Sequence, residues 1–177
     1  VIYCKYQGGQ RPPLTLIGPR GTATLMRAMM TTFPSFDRPP FRVTIREVSD
    51  RSFRLGDTRI RPATVKHAPR LHCVGYRIEY QDHVVAYSGD SLYCGSLVKL
   101  CRDADVAILD CSFPENEPGA GHLHAGECGR VAQEAGIDRL VLSHFYPIAE
   151  QYDVRAQAAS YFSGRVRMAK DLLLVTG

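Results

Sequence analysis

The sequence predicts an α/β (α+β) protein in which helices cover mixed β-sheets, and three observations carry that reading. Hydrophobic residues make up 45% and charged residues 23% of 177 positions, enough for one ordinary domain with a real core. Between Phe41 and Gly89, apolar and polar residues alternate over hairpin-length runs joined by turn residues. Beyond that point, short buried strands take turns with amphipathic helices. A single domain over residues 1–177 is the expected organisation.

The first segment, "VIYCKY", reads as the inside of a structural element. "LTLIGP" is a short buried strand that stops at a Gly-Pro turn, and Gly21 to Phe33 is a helix with Leu25, Met29 and Met30 as its apolar residues. "FPSFDRPPF" is a loop broken by prolines. "FRVTIREV" is a strand, "SFRLGDTRIRPATVKH" holds a Gly-Asp turn, and in "VGYRIEYQDHVVAYSGD" the "QDH" turn joins two alternating strands. A helix over Leu92 to Ala104 has Leu97, Leu100 and Cys101 on one face. "VAILDCSF" is a buried strand, Ala125 to Ala135 a helix with Cys128, Val131 and Ala135 inward, and "RLVLSHFYP" another buried strand. Val154 to Phe162 is a helix and "VRMAKDLLLV" a last strand.

A formal charge of +4 is spread without a dense basic run, so it reads as solvated surface rather than a nucleic-acid patch. No stretch has the length of a membrane span and no secretory leader is visible. The six cysteines form no C-x-x-C pair and lie mostly in apolar periodic segments. They read as reduced core residues of a cytoplasmic protein, with no membrane partner.

Three strands end on a polar residue: His67, Asp90 and His144. Ligands gather where strands of α/β sheets stop, because the loops there are free to carry function. Two imidazoles and a carboxylate suit a divalent transition metal, and the two carboxylate oxygens can reach two ions at once. "GHLHAGE" adds His122 and His124 just ahead of a helix. Each has a plain structural alternative: a hydrogen-bonded strand-end histidine, Asp90 as the N-cap of the following helix, His124 as first-turn surface. Asp110 in "AILDCSF" is another strand-end carboxylate, read mainly as structural, and His72 and His83 are read as solvent residues.

The words around these residues, "VKHAPRLHCVGYRIEY", "VAYSGDS", "ADVAILDCSFPE" and "GHLHAGECGRVAQEAGIDRLVLSHFYP", come in the order and spacing of the later motifs of metallo-β-lactamase-fold hydrolases. They are most similar to the ribonuclease Z-like branch, as is "PPLTLIGPRGT", and the likeness runs through nearly all of the chain. The resemblance implies an αββα four-layer sandwich with a two-metal site, usually zinc, with manganese or iron as alternatives. It implies His67 as a ligand of one metal, Asp90 as the bridge, and His144 as a ligand of the other. His122 falls where the branch carries a histidine that helps the leaving group depart, and His124 where it often has threonine. Either imidazole is the expected proton donor.

The founding motif of that family, H-x-H-x-D-H, does not occur in these residues, so an N-terminally incomplete chain, itself a weak metal binder and poor catalyst, is the expectation. The resemblance implies a metal-dependent phosphodiesterase whose bridging hydroxide attacks phosphorus. A lactonase or thioesterase, or a non-catalytic binding or structural relative, are the alternatives. The long RNA-gripping arm of transfer-RNA-processing members is absent, and no aromatic-and-basic platform is apparent. The expected substrate is therefore a small phosphodiester or other ester, with RNA left open, and a homodimer is left open on the strength of the relatives.

Overall fold

The computed structural model describes residues 8–9, 11–33 and 39–175, so the "VIYCKY" segment, Cys4 and the middle of the proline-broken loop lie outside the described residues. The chain divides into two compact units at Ser49/Asp50.

In the first unit, β1 (Leu14–Pro19) and β2 (Val43–Val48) run parallel, with α1 (Thr22–Thr32) in the connection between them. Gly21 offers α1 no side-chain cap. Glu47 of β2 does that work, accepting from the N–H groups of Gly21 and Ala23 at 2.9 Å each. The hydrogen bonds from Ala23 and Gly21 hold its carboxyl below the usual range. β1 is half-buried rather than fully buried, and Leu25 and Met29 of α1 stand exposed.

The second unit is built on a seven-stranded sheet in simple sequence order. β3 (Phe53–Leu55), β4 (Thr58–Val65), β5 (Cys73–Tyr80) and β6 (His83–Tyr87) are antiparallel neighbours. β7 (Val106–Asp110), β8 (Arg139–Ser143) and β9 (Arg165–Met168) then add in parallel. The change of direction follows the change of connection: tight turns at Gly56 and Gln81 first, helical crossovers afterwards. Those crossovers are α2 (Gly95–Cys101), α3 (Ala125–Ala135) and α4 (Val154–Ala159). This is the α+β architecture with mixed sheets that the sequence predicts.

The core forms where helices lie on the parallel strands. Leu97, Leu100, Cys101, Cys128, Val131 and Leu140 are all buried in one cluster. Gly75 of β5 lets α2 come close, because a Cβ there would lie 2.7 Å from a Leu100 methyl. The five described cysteines are free; Cys94, Cys101, Cys111 and Cys128 are buried and Cys73 is half-buried. Burial pushes the Cys101 thiol up to about 12, and raises Cys128 well above its ordinary value.

Three expected elements are shorter than their periodicity suggests. α2 begins at Gly95 instead of Leu92, because the Leu92 N–H is taken by the Lys66 carbonyl at 2.5 Å and the Ser91 N–H by Asp110. α4 stops at Ala159. β9 ends at Met168; Leu172 has a positive φ and, like Leu174, is solvent-exposed, so the run "LLLV" extends no strand.

Candidate metal centre

The carboxyl ends of β4, β6, β7 and β8 bring together the chemistry that the sequence scatters. β4 ends two residues before His67 and β8 one before His144; β7 ends on Asp110, and β6 leads through Ser88 and Gly89 to Asp90. Asp90 is not a helix cap: α2 starts five residues later, behind an N-cap at Cys94. Its carboxylate stands between two imidazoles instead. Oδ2 lies 4.0 Å from His67 Nε2, and Oδ1 lies 3.6 Å from His144 Nε2.

Those gaps are too long for hydrogen bonds. They fit a shared cation. An ion bound tetrahedrally by nitrogen and oxygen at about 2.0–2.2 Å holds its ligand atoms about 3.4 Å apart. One carboxylate oxygen faces each imidazole, so the arrangement offers two such positions.

Each imidazole is aimed by its surroundings. His67 Nδ1 sits 2.7 Å from the Gly121 carbonyl oxygen, which accepts from Nδ1–H and so favours the tautomer with its lone pair on Nε2, toward Asp90. Gly121 has φ +85, a backbone conformation that calls for glycine, and it brings its carbonyl against His67 Nδ1. His144 itself has a positive φ of 61, an unfavourable backbone for a residue with a Cβ, which turns the ring out of the strand line and toward Asp90.

His122 lies behind this pair. It is buried, its ring centroid 4.8 Å from that of His67 and 5.3 Å from that of His144. Nδ1 is 2.7 Å from Asp110 Oδ2, and Nε2 is 3.2 Å from the Tyr146 hydroxyl. Asp110 is the residue whose role the sequence reading missed. It is 3% exposed and accepts from the Ser91 N–H and from His122 at Oδ2, while the Ser112 hydroxyl lies 2.6 Å from Oδ1. A strand-end carboxylate twelve residues before a histidine was the available signal, but nothing in sequence tells which side chain it meets.

Two overlapping groups could therefore hold divalent ions, His67–Asp90–His122 and Asp110–His122–His144, with the ligand atoms of each within 4.8 Å of one another. His124 belongs to neither. It is the N-cap of α3: Nδ1 accepts from the Glu127 N–H at 3.4 Å while the Glu127 carboxylate accepts from the His124 N–H, a reciprocal capping box. His83 is exposed as expected. His72 is not a plain solvent residue: Nε2 contacts the Thr64 hydroxyl at 3.0 Å, and Nδ1 is buried without a partner among the described residues.

Residues 5–145 match the family described as the beta-lactamase superfamily domain. The chain belongs to that superfamily. It is 35% identical over 114 residues to a probable metallo-hydrolase, YhfI, of Bacillus subtilis, an overlap of 62% of this chain and 47% of the relative. It is 30% identical over 185 residues to ribonuclease Z of Mycobacterium sp. strain KMS, covering 90% of this chain and 65% of that one. The crystal structure of Bacillus subtilis YhfI superposes with a TM-score of 0.77 at 27% identity, over 95% of this chain and 66% of that one. Human tRNase Z, short form, shares the fold, with a TM-score of 0.70 at 18% identity over 93% of this chain and 66% of that one. The chain thus spans between about half and about two thirds of the length of these superfamily relatives. No described helix is long and apolar enough to cross a membrane.

Proposed function

We propose that this chain carries the bridging half of a dinuclear metal hydrolase site and that the protein is a phosphodiesterase of the ribonuclease Z type, with zinc as its metal. The observation that carries this is Asp90, one oxygen toward His67 and the other toward His144. Imidazole nitrogen and carboxylate oxygen form a donor set that zinc accepts readily. A bound pair of divalent ions would activate a water for attack and neutralise charge developing on the phosphate.

The remaining roles fall to this chain's side chains. His67 and His144 would hold the pair, with the Asp90 carboxylate between them. His122 serves as the proton donor to the departing oxygen, since both its nitrogens are engaged by protein groups: Asp110 fixes the proton on Nδ1, and the Tyr146 hydroxyl marks where Nε2 can exchange one. His124 is left to cap α3.

Measured on the protein with its full set of metal ligands, turnover of bis(p-nitrophenyl) phosphate, set beside p-nitrophenyl acetate and a lactone, tests the substrate class. Faster phosphodiester cleavage that disappears with Asp90→Ala is the expected outcome. Preferential ester or lactone cleavage by the same protein assigns the scaffold to carboxyl-ester chemistry instead.

A further inference from the structure

The metal centre makes no use of a groove of about 520 Å³ that lies between β4 and α2. Hydrogen bonds fix which end of the helix meets which end of the strand. Arg77 of β5, in register with Arg61 of β4, donates to the Leu100 and Arg102 carbonyls at 3.3 and 2.6 Å. The carboxyl end of α2 therefore lies at the Arg61 end of the groove. The Lys66 carbonyl accepts from the Leu92 N–H, which puts the amino end of α2 at Lys66. Among the groove's lining residues, Ser96 thus lies toward Lys66 and Lys99 toward Arg61.

The floor is apolar. Arg61, Ala63 and Val65 alternate with residues of the opposite face, so all three belong to the side that α2 covers. Val65 and Leu100 are buried, and Leu100 packs against Gly75, the register partner of Ala63. Ala63 is only partly buried, and its single methyl leaves the hollow open above it. The carbon stems of Arg61 and Lys99 can lengthen this apolar surface while their charged ends stay in water.

The rim is cationic. Arg61, Lys66 and Lys99 face one carboxylate of the lining, Asp50, so three positive charges meet one negative charge and leave an excess of two. Asp50 is already engaged, accepting from the Thr64 N–H and hydroxyl at 2.8 and 3.0 Å. Arg61 lies 3.5 Å from Glu79, but Arg77 holds that carboxylate at 2.9 Å, and the Arg61 side chain remains 49% exposed. An excess of like charge beside an uncovered apolar floor calls for a ligand that is both anionic and apolar.

We propose that this groove binds an amphipathic carboxylate, with its head between Arg61 and Lys99 and its acyl chain over Ala63 toward Ser96 and Lys66. From Arg61 to Lys66 the strand covers roughly 17 Å, room for a chain of medium length. The volume and the make-up, an apolar floor with a few charges at the rim, are those of a small-ligand site. A compact anion such as inorganic phosphate would leave the floor in water, and a neutral hydrocarbon would leave the cations unmatched. None of these residues belongs to the metal centre, so the site stands independently of the phosphodiesterase reading.

Isothermal titration calorimetry of the whole chain with decanoate, in the presence of EDTA, keeps metal chemistry out of the measurement. Decanoate is expected to bind at a single site. Octanoate should bind about 4-fold more weakly, because each half-covered methylene contributes about a factor of two. K99E should weaken decanoate by about 10-fold or more, since it sets a like charge against the head. K99Q should move affinity in the same direction by about 3-fold, and decides the matter if K99E disturbs folding. K170E alters an exposed lysine outside the groove and should leave binding as in the wild type. Decylammonium bound as tightly as decanoate overturns the proposal, as does affinity that ignores chain length. Wild-type affinity in K99E and K99Q, or an equal loss in K170E, overturns it as well.

Discussion

Two neighbouring strands lead to an aspartate at the same end of the sheet, and the two carboxylates have opposite surroundings. Asp90, after β6, has a side chain 47% exposed, with imidazoles at 3.6 and 4.0 Å. Asp110, at the end of β7, has a side chain 1% exposed and takes hydrogen bonds from a backbone amide and an imidazole, with a serine hydroxyl against it. The first is placed for a cation from outside the chain; the second is satisfied by the chain itself. The difference teaches that a strand-end carboxylate acquires its role from what faces it. An unpaired carboxylate near lone-pair nitrogens is an incomplete coordination shell, while a buried one holding a histidine proton orients that histidine.

The sharpest way to break this contrast is substitution of the two aspartates in parallel. Asp90→Ala should remove metal-dependent hydrolysis and lower bound metal, measured by elemental analysis, while shifting urea stability by no more than about 0.5 kcal/mol, because the group is exposed. Asp110→Ala should do the reverse in folding, destabilising by about 3 to 5 kcal/mol in urea titration, because it strands His122 and Ser91 in the interior. Similar stability losses in both variants would erase the distinction. Next in size is Asp110→Asn. An amide keeps one acceptor oxygen but no longer fixes the His122 proton, and turnover is expected to fall about 10- to 100-fold with bound metal retained.

A smaller effect separates the two histidines of "GHLH". His124→Ala removes the α3 cap and should cost about 1 kcal/mol of stability while leaving phosphodiester turnover as in the wild type. A large loss of turnover would return His124 to the site. The smallest expected signal comes from the thiols beneath it. Peptide mapping after mild alkylation should find Cys73 modified in the native protein and Cys101 and Cys128 only on unfolding, because burial raises both thiols and shields them.

Much of the fold was legible because the second unit obeys local rules. The Gly-Asp and "QDH" turns, the burial of Cys128, Val131 and Ala135 on α3, and the strands β7 and β8 all follow from periodicities of two and 3.6. Errors fall where a tertiary contact overrides propensity. Leu92 to Cys94 could continue a helix, but bonds to Lys66 and Asp110 hold that stretch open, and this is what carries Asp90 into the site. "LLLV" has strand composition, yet the chain reverses near Leu172 before a partner can be found.

By itself, then, the sequence determined the alternation of elements and the kinds of side chain at the strand ends, since both are set by spacing along the chain. Only the tertiary structure decided which of them meet. His67 and Gly121 are 54 positions apart, Asp90 and His144 as many, and Arg61 of β4 shares a groove with Lys99 of α2. Hydrogen bonds, coordination and charge repulsion act over a few ångströms of space, and that proximity comes from sheet register and helix packing rather than from order along the chain.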